Sequence, residues 1–142
     1  MNTNLIKFET DLDAFSKKIG VSLQLVLKKV SFSIFTSIVR RTPFDTGIAR
    51  ASWVIGVNSF ANPADIVLGK GEKLSSDEAA QLSLSRLSAI DITSPFSLVI
   101  ISNYLPYIQR LEHGWSKKAP AGMVKLAIEE EKDKLRAGIQ AI

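Results

Sequence analysis

Histidine, cysteine and serine side chains set the first limits on the chemistry of this sequence. The chain has one histidine, His113, and no cysteine, which excludes disulfides and thiolate metal sites. A Ser-His-carboxylate triad would have to use His113, and no Gly-x-Ser-x-Gly elbow is present to hold its serine. Glu112 beside His113 has no second histidine at helical spacing. We therefore expect no catalytic residue, metal or cofactor, although an enzyme that uses His113 stays open as an alternative.

Glycine and basic residues could instead bind phosphate, but their spacing does not favour it. The Gly69-Lys70-Gly71 turn lacks the Gly-x4-Gly-Lys-Ser/Thr spacing of a phosphate loop. Paired basic residues with a nearby aromatic can hold a nucleic-acid strand, and the chain has such pairs at Lys17-Lys18, Lys28-Lys29, Arg40-Arg41 and Lys117-Lys118, the last beside Trp115. These pairs are scattered, and the formal net charge is only +4. Direct nucleic-acid recognition is not expected, and a small DNA-binding accessory protein remains the alternative from another class.

The length and hydropathy of the chain indicate its general class. With 142 residues the chain fits one domain with its own core. Its first residues lack the basic start and apolar core of a signal peptide. The most apolar window, residues 19–39, is interrupted by Lys28 and Lys29, so a membrane span is not expected.

Apolar residues recur every three or four positions near the N-terminus and predict one long helix. The series comprises Leu12, Phe15, Ile19, Leu23, Val26, Val30, Ile34 and Ile38. Gly20 inside such a helix costs about 1 kcal/mol relative to alanine. Phe32 and Phe35 lie outside this stripe, which indicates burial on more than one side. Two explanations stay open: a central core helix, or a second face that meets another subunit.

Alternating apolar residues predict a small, mainly antiparallel sheet. One strand covers residues 53–57, a short one covers 65–68, and the most hydrophobic one, residues 96–101, is expected inside the sheet. A capping box at residues 75–78 begins an inserted helix that reaches Ile90, and a last helix covers residues 123–137. We therefore predict an α+β fold in which a long N-terminal helix and a C-terminal helix pack on the sheet. The domain covers residues 1–142, with an inserted segment at 61–92.

Residues 102–123 contain an unusual concentration of aromatic, proline and glycine residues. Pro106 fits the first turn of a short helix that places Tyr107, Ile108 and Leu111 on one side, and Gly114 fits its left-handed end. Residues 115–122 then form a loop. Glu112 lies near the C-terminus of this helix, where its charge opposes the helix dipole. It therefore needs a cationic or backbone-amide partner, for which we expect Arg50 or Arg40, within one subunit or between two.

A second distinctive stretch, residues 42–53, combines a helix stop with a tight turn. Pro43 ends the preceding helix, because the residue before a proline avoids helical dihedrals. Asp45 and Thr46 can hydrogen-bond their own backbone, and Gly47 can adopt a positive φ. The turn leads directly into the strand at residues 53–57.

Together the two stretches resemble the small tail-completion (head–tail joining, or neck) proteins of long-tailed bacteriophages. That family pattern has a first helix ending in Thr-Pro, then Asp-Thr-Gly, an Arg and a Ser, and later a Tyr, a Glu-x-Gly helix and a Pro. The matching positions are Thr42, Pro43, Asp45, Thr46, Gly47, Arg50, Ser52, Tyr107, Glu112, Gly114 and Pro120. The resemblance covers roughly residues 12–139, and departs from the pattern at Ala49 and at residues 61–92.

The resemblance implies a structural virion protein and not an enzyme. It implies a homo-oligomeric ring, a hexamer in the family, that joins the tail to the DNA-filled head beside other neck and tail proteins. A tail terminator, head-closure or minor tail protein is the nearest alternative. We expect synthesis in the host cytoplasm, a final location in the neck or tail of the virion, and no small-molecule or membrane partner. Candidate contact residues are Phe32, Phe35, Trp115, Lys117, Lys118 and Met123.

Overall fold

The N-terminal part of the protein is a pair of helices. In the computed structural model, which describes residues 3–20 and 22–141, these are α1 (Thr3–Ile19) and α2 (Leu23–Arg41). The prediction of one long helix is wrong, because the chain bends by 117° between them. Gly20, with φ +65°, ends α1, and the Ser22 hydroxyl accepts a hydrogen bond from the Leu25 N–H at 3.3 Å to begin α2.

The two helices pack together with the last helix of the chain around one apolar cluster. Helix α6 (Val124–Ala141) packs against both α1 and α2. Leu12, Val26, Val30 and Leu135 form a buried cluster where the three helices meet. Of the helices in the described residues, none alone has the length and apolarity that crossing a membrane requires; α1 and α2 reach them only as a bent pair, by length and composition.

The sheet consists of two antiparallel strands within the described residues, β1 (Trp53–Val57) and β2 (Val99–Asn103), with Ile55 opposite Ile101. The predicted strand at residues 65–68 is absent, because that segment pairs with no other strand. The strand predicted at 96–101 begins later, and Phe96 is 90% exposed. In a two-stranded sheet β2 is an edge, so its expected interior position is also wrong. The α+β class itself is confirmed.

A second core lies between α2, the sheet and α6. It includes Phe35, Trp53 and Met123, and β2 contributes half-buried side chains. The inserted helix α4 (Ser76–Leu84) packs against α2 and against α3 (Ile48–Ala51). Its predicted capping box is present, but the α-helix ends at Leu84 and continues as a 3-10 helix over Ser85–Ala89. The short helix α5 (Ile108–Glu112) follows β2.

Candidate functional site

Thr42 anchors the first turn to the core. Its fully buried hydroxyl donates to the Ile38 carbonyl at 2.7 Å and accepts from the indole N–H of Trp53 at 2.7 Å. Its carbonyl accepts from the Arg50 guanidinium at 2.8 and 3.1 Å. The buried hydroxyl of Thr42 and the buried indole N–H of Trp53 therefore both have hydrogen-bond partners. Sequence reasoning placed Trp53 on a strand but did not identify it as the partner of Thr42.

The corner at residues 45–47 holds the inserted segment in place. Gly47 has the predicted positive φ, +94°, and a Cβ built on it would lie 2.9 Å from the Leu74 Cβ. The Leu74 N–H donates to the Thr46 carbonyl at 3.0 Å. Asp45 is exposed at the tip of this corner, after the half-buried Pro43. The corner thus needs glycine for its backbone angle and for the close approach of Leu74.

Arg50 connects the first turn to α4. Its guanidinium lies over the Phe44 ring, 5.5 Å from the centroid, and donates to the Ser76 hydroxyl. Burial lowers the pKa of Arg50, and the charge of Asp77 opposes that shift. Within the subunit, Glu112 pairs with neither Arg50 nor Arg40, because Arg50 is held by Thr42 and Ser76 and the Glu112 carboxylate has backbone partners. A pairing between two subunits stays a prediction.

Glu112 caps the start of α6. Its Oε2 accepts hydrogen bonds from the N–H groups of Met123 at 3.0 Å and Val124 at 2.9 Å, and its Oε1 accepts from Lys125 at 3.1 Å. Partial burial acts to raise the pKa of Glu112, but the backbone N–H donors outweigh it and hold the pKa below its usual value. The broader expectation that Glu112 needs a cationic or backbone-amide partner is therefore confirmed, and the partners are backbone amides. The carboxylate also lies at the positive end of the α6 dipole.

Two glycines allow the loop at residues 115–122 to fold back onto α5. Gly114 has φ +86° and ends α5 as predicted; a Cβ there would lie 2.4 Å from the Pro120 carbonyl oxygen. Gly122 has φ +84°, and a Cβ there would lie 2.4 Å from the Glu112 carbonyl oxygen. Side chains at either position would separate the loop from α5, and with it Glu112 from α6.

The two turns, far apart in the sequence, lie against each other. The Lys118 ammonium donates to the Phe44 carbonyl at 2.7 Å. A groove of about 420 Å³ between the turns is lined on one side by Asp45 and Gly47 and on the other by Tyr107 and Lys118. Burial, and then the negative charge of Asp45, raise the pKa of the Tyr107 hydroxyl. Residues from both distinctive stretches of the sequence therefore line one groove.

The predicted contact residues divide into buried and exposed ones. Phe35 and Met123 are fully buried inside their own chain, so their assignment to a subunit interface is wrong. Phe32 is half-buried beneath the Lys28 ammonium, 5.7 Å from the ring centroid. Trp115 is 71% exposed. Lys117 and Lys118 are also exposed on the same loop, although Lys118 is bound to the first turn.

Trp115 is paired with Arg110, a residue that sequence reasoning did not select. The Arg110 guanidinium lies 4.8 Å from the Trp115 ring centroid, and the Trp115 N–H donates to the Arg110 carbonyl at 3.1 Å. This cation–π contact orients an aromatic side chain that is otherwise exposed to solvent. Arg110 and Trp115 are five residues apart in the sequence. They meet because Gly114 adopts a left-handed conformation and turns the chain at the end of α5.

A basic groove lies on the other side of Lys118. Arg40, Arg41 and Lys118 line it together with the loop residues 119–122. Arg41 is paired with Glu130 of α6, and Glu130 also pairs with Lys134 at 3.0 Å, as the helical spacing predicts. Arg40 is exposed and has no ion-pair partner among the described residues. The groove can therefore accept an anionic group.

His113 lies exposed at the C-terminal end of α5. Across residues 3–20 and 22–141, no group of three or more histidine and carboxylate side chains is arranged to hold a metal ion. The polar side chains described above, Arg50, Glu112 and Lys118, bind backbone groups of their own chain.

The chain matches no protein-family model, no curated protein and no solved structure. The class that the fold and the site define is a small α+β domain with two joined turns and an adjoining exposed tryptophan.

Proposed function

We propose that the chain is a structural subunit of a homo-oligomeric ring in the neck of a long-tailed bacteriophage, where it completes the tail so that the head can join. The observation that carries this proposal is the union of the two turns through Lys118 and Phe44. Residues that match the tail-completion pattern lie on both sides of this contact: Arg50 donates to the Thr42 carbonyl in the first turn, and Asp45 and Tyr107 line the groove between the turns. The proposal rests on that resemblance together with the way in which the matching residues satisfy one another.

The loop at residues 115–122 supplies a contact surface for such a ring. Glu112 joins the two ends of the loop by linking α5 to the start of α6, and Lys118 binds the loop to the first turn, so Trp115 is presented on a preorganised segment. Tryptophan and arginine are the residues that most often dominate the energetics of protein contacts. A preorganised loop also loses less conformational entropy on association. The complementary surface is expected to offer an apolar pocket with an acidic rim for Arg110 and Lys117.

The proposal is tested in the phage whose genome encodes this chain. Deleting the gene should leave full heads and finished tails that do not join, visible by electron microscopy. Trp115→Ala should fold normally but fail to restore joining, whereas Trp115→Phe and the surface control Leu82→Ala should restore it. Complete virions formed without the protein would refute the proposal. Finding the protein on tails that lack heads, or on heads that lack tails, separates tail completion from head closure.

The basic groove favours one second candidate, a small DNA-binding accessory protein. Arg40 and Arg41 lie side by side next to Lys118 and can contact phosphates. Binding of this kind weakens steeply as salt increases, because counterions are released from the nucleic acid. Titration of duplex and single-stranded DNA over a salt series, with Arg40→Ala as the variant and Lys70→Ala as the control, decides between the two functions.

A further inference from the structure

The outer edge of β2 is an unpaired sheet edge. Gly56 lies opposite Ile100, and the Asn58 N–H donates to the Leu98 carbonyl at 2.6 Å, so residues 98, 100 and 102 direct their backbone groups toward β1. Val99, Ile101 and Asn103 must direct theirs away from it. Within the part of the chain that the structure describes, the main-chain groups of these residues have no hydrogen-bond partner.

The two edges of the sheet differ in access. On β1, Trp53 and Ile55 are buried, and the Arg86 guanidinium donates to the Trp53 carbonyl at 2.8 Å. Every residue of β2 is half-exposed, and the strand reads Val-Ile-Ile-Ser-Asn, without a charge or a proline. Natural edge strands are usually protected by such residues, because an open edge pairs with other chains. The β2 edge is therefore available to a strand from outside the subunit.

Residues 64–68 are a strand-like segment without a partner in their own chain. Their exposure alternates, with Asp65 and Val67 exposed and Ile66 half-buried. This period of two is typical of extended backbone, and isoleucine and valine favour strands. Among the described residues, the main-chain N–H and C=O groups of residues 62–68 make no hydrogen bond. The side chain of Val67 is 91% exposed.

We propose that residues 64–68 of one copy add as a strand to the β2 edge of the next copy. The unpaired donors and acceptors on one surface are then satisfied by those on the other, as in strand addition to other open sheet edges. The contact joins two different patches, and its repetition around an axis closes a ring when the rotation between copies divides a full turn. This inference rests on the self-association in the proposed ring, but it does not depend on the ring's place in a virion.

Engineered cysteines test the pairing directly, because the natural chain contains none. Val67→Cys is mixed in turn with single-cysteine variants at residues 98 to 103, from Leu98→Cys to Asn103→Cys, and the disulfide-linked dimers are identified by mass. One of these mixtures should form a mixed dimer, whereas Val67→Cys with Leu82→Cys on α4 should not. No mixed dimer above that control would overturn the proposal. Cross-linking of Leu98→Cys to itself alone would overturn it in favour of symmetric β2–β2 pairing.

Proline substitutions provide the second test. Val67→Pro removes a donor that the isolated subunit does not use, so the thermal midpoint of the subunit should not change. The concentration needed for assembly, measured by analytical ultracentrifugation, should rise by about tenfold or more through lost inter-strand hydrogen bonds. Lys70→Pro is the matched control, because Lys70 precedes Gly71 (φ +83°) in a turn closed by the Glu72 N–H and the Gly69 carbonyl, where proline fits.

The outcomes separate this inference from the proposed function. A natural protein that stays monomeric at high concentration overturns the strand exchange and the ring together. Rings that form equally well with Val67→Pro overturn the strand exchange alone. If ring formation requires Val67 but head–tail joining proceeds without the rings, the strand exchange is supported and the proposed role in the virion is refuted.

Discussion

Removal of the Glu112 carboxylate is the most direct test of how the second turn is built. Glu112→Ala takes away the acceptor for the N–H groups of Met123, Val124 and Lys125. We expect the free energy of unfolding to fall by about 2 kcal/mol, at the upper end of the range for helix caps, because the acceptor is charged. The loss should be smaller than the sum of separate hydrogen bonds, since water can reach the exposed Lys125 amide. In a domain of this size, that corresponds to a fall in Tm of about 4–8 °C.

The charge of Glu112 adds a dependence on pH. Because the N–H donors hold its pKa below the usual value of about 4.3 in the folded protein, the ionised group stabilises the fold above that pH. This contribution disappears as the pH falls through the lower pKa of the folded state. Glu112→Gln keeps the shape and one acceptor but lacks the charge, so it should be about 1 kcal/mol less stable than the natural protein near pH 7. The two proteins should converge in stability as the pH falls through the lowered pKa of Glu112 in the folded protein.

Urea unfolding followed by circular dichroism, from pH 7 down to pH 3, measures both effects. Glu129→Gln is the matched control, because Glu129 lies on the exposed face of α6 and makes no hydrogen bond or ion pair with a described residue. Its stability should follow that of the natural protein at every pH. If both Glu112 variants are as stable as Glu129→Gln at neutral pH, the carboxylate does not cap α6 and the account of the second turn fails.

Two further substitutions test the packing of the turns. Thr42→Val leaves the buried indole N–H of Trp53 without an acceptor and should lower the free energy of unfolding by about 2 kcal/mol. Thr42→Ser loses only a methyl group and should lower it by about 1 kcal/mol. Urea unfolding measures both losses, and the NMR shift of the indole proton should stay unchanged only in the serine variant. Gly122→Ala and Gly71→Ala introduce the same strain in a left-handed backbone conformation, about 1 kcal/mol. The Cβ added at Gly122 would lie 2.4 Å from the Glu112 carbonyl oxygen, whereas the Cβ added at Gly71 would meet nothing within 4 Å. Thermal unfolding should show a clearly larger loss for Gly122→Ala, and equal losses would contradict the close approach of the loop.

Local patterns in the sequence predicted the elements whose signals are contained within a few residues. The Ser75–Glu78 capping box, the helix stop at Pro43 and the left-handed end at Gly114 are all present. In each of these features, the hydrogen-bond partners or backbone angles come from residues within the motif itself, so the sequence alone is enough to predict it. The same holds for β1, whose alternation predicts its bounds.

The break between α1 and α2 was missed because both helices bury apolar residues at the same spacing. Periodicity continues from Ile19 to Leu23 even though the backbone turns there. The informative residues were Gly20, interpreted as a cost inside a helix, and Ser22, which caps the next one. A glycine followed closely by a serine is a stop-and-start signal, and it outweighs an uninterrupted apolar series.

The remaining errors share one physical cause, which is that backbone groups can be satisfied by residues far away in the sequence. An arginine partner is expected for Glu112 from the sequence. Helix α6, however, begins after Gly122 without a serine, threonine, aspartate or asparagine at its cap position. Its free N–H groups therefore donate to the Glu112 carboxylate instead. Residues 65–68 have the propensity of a strand and lack a strand to pair with inside the subunit. Propensity indicates that a segment can pair but does not identify the partner, and β2 presents the matching unpaired edge. A strand predicted from the sequence but unpaired in the isolated chain is thus the ground on which we propose a contact with a second copy.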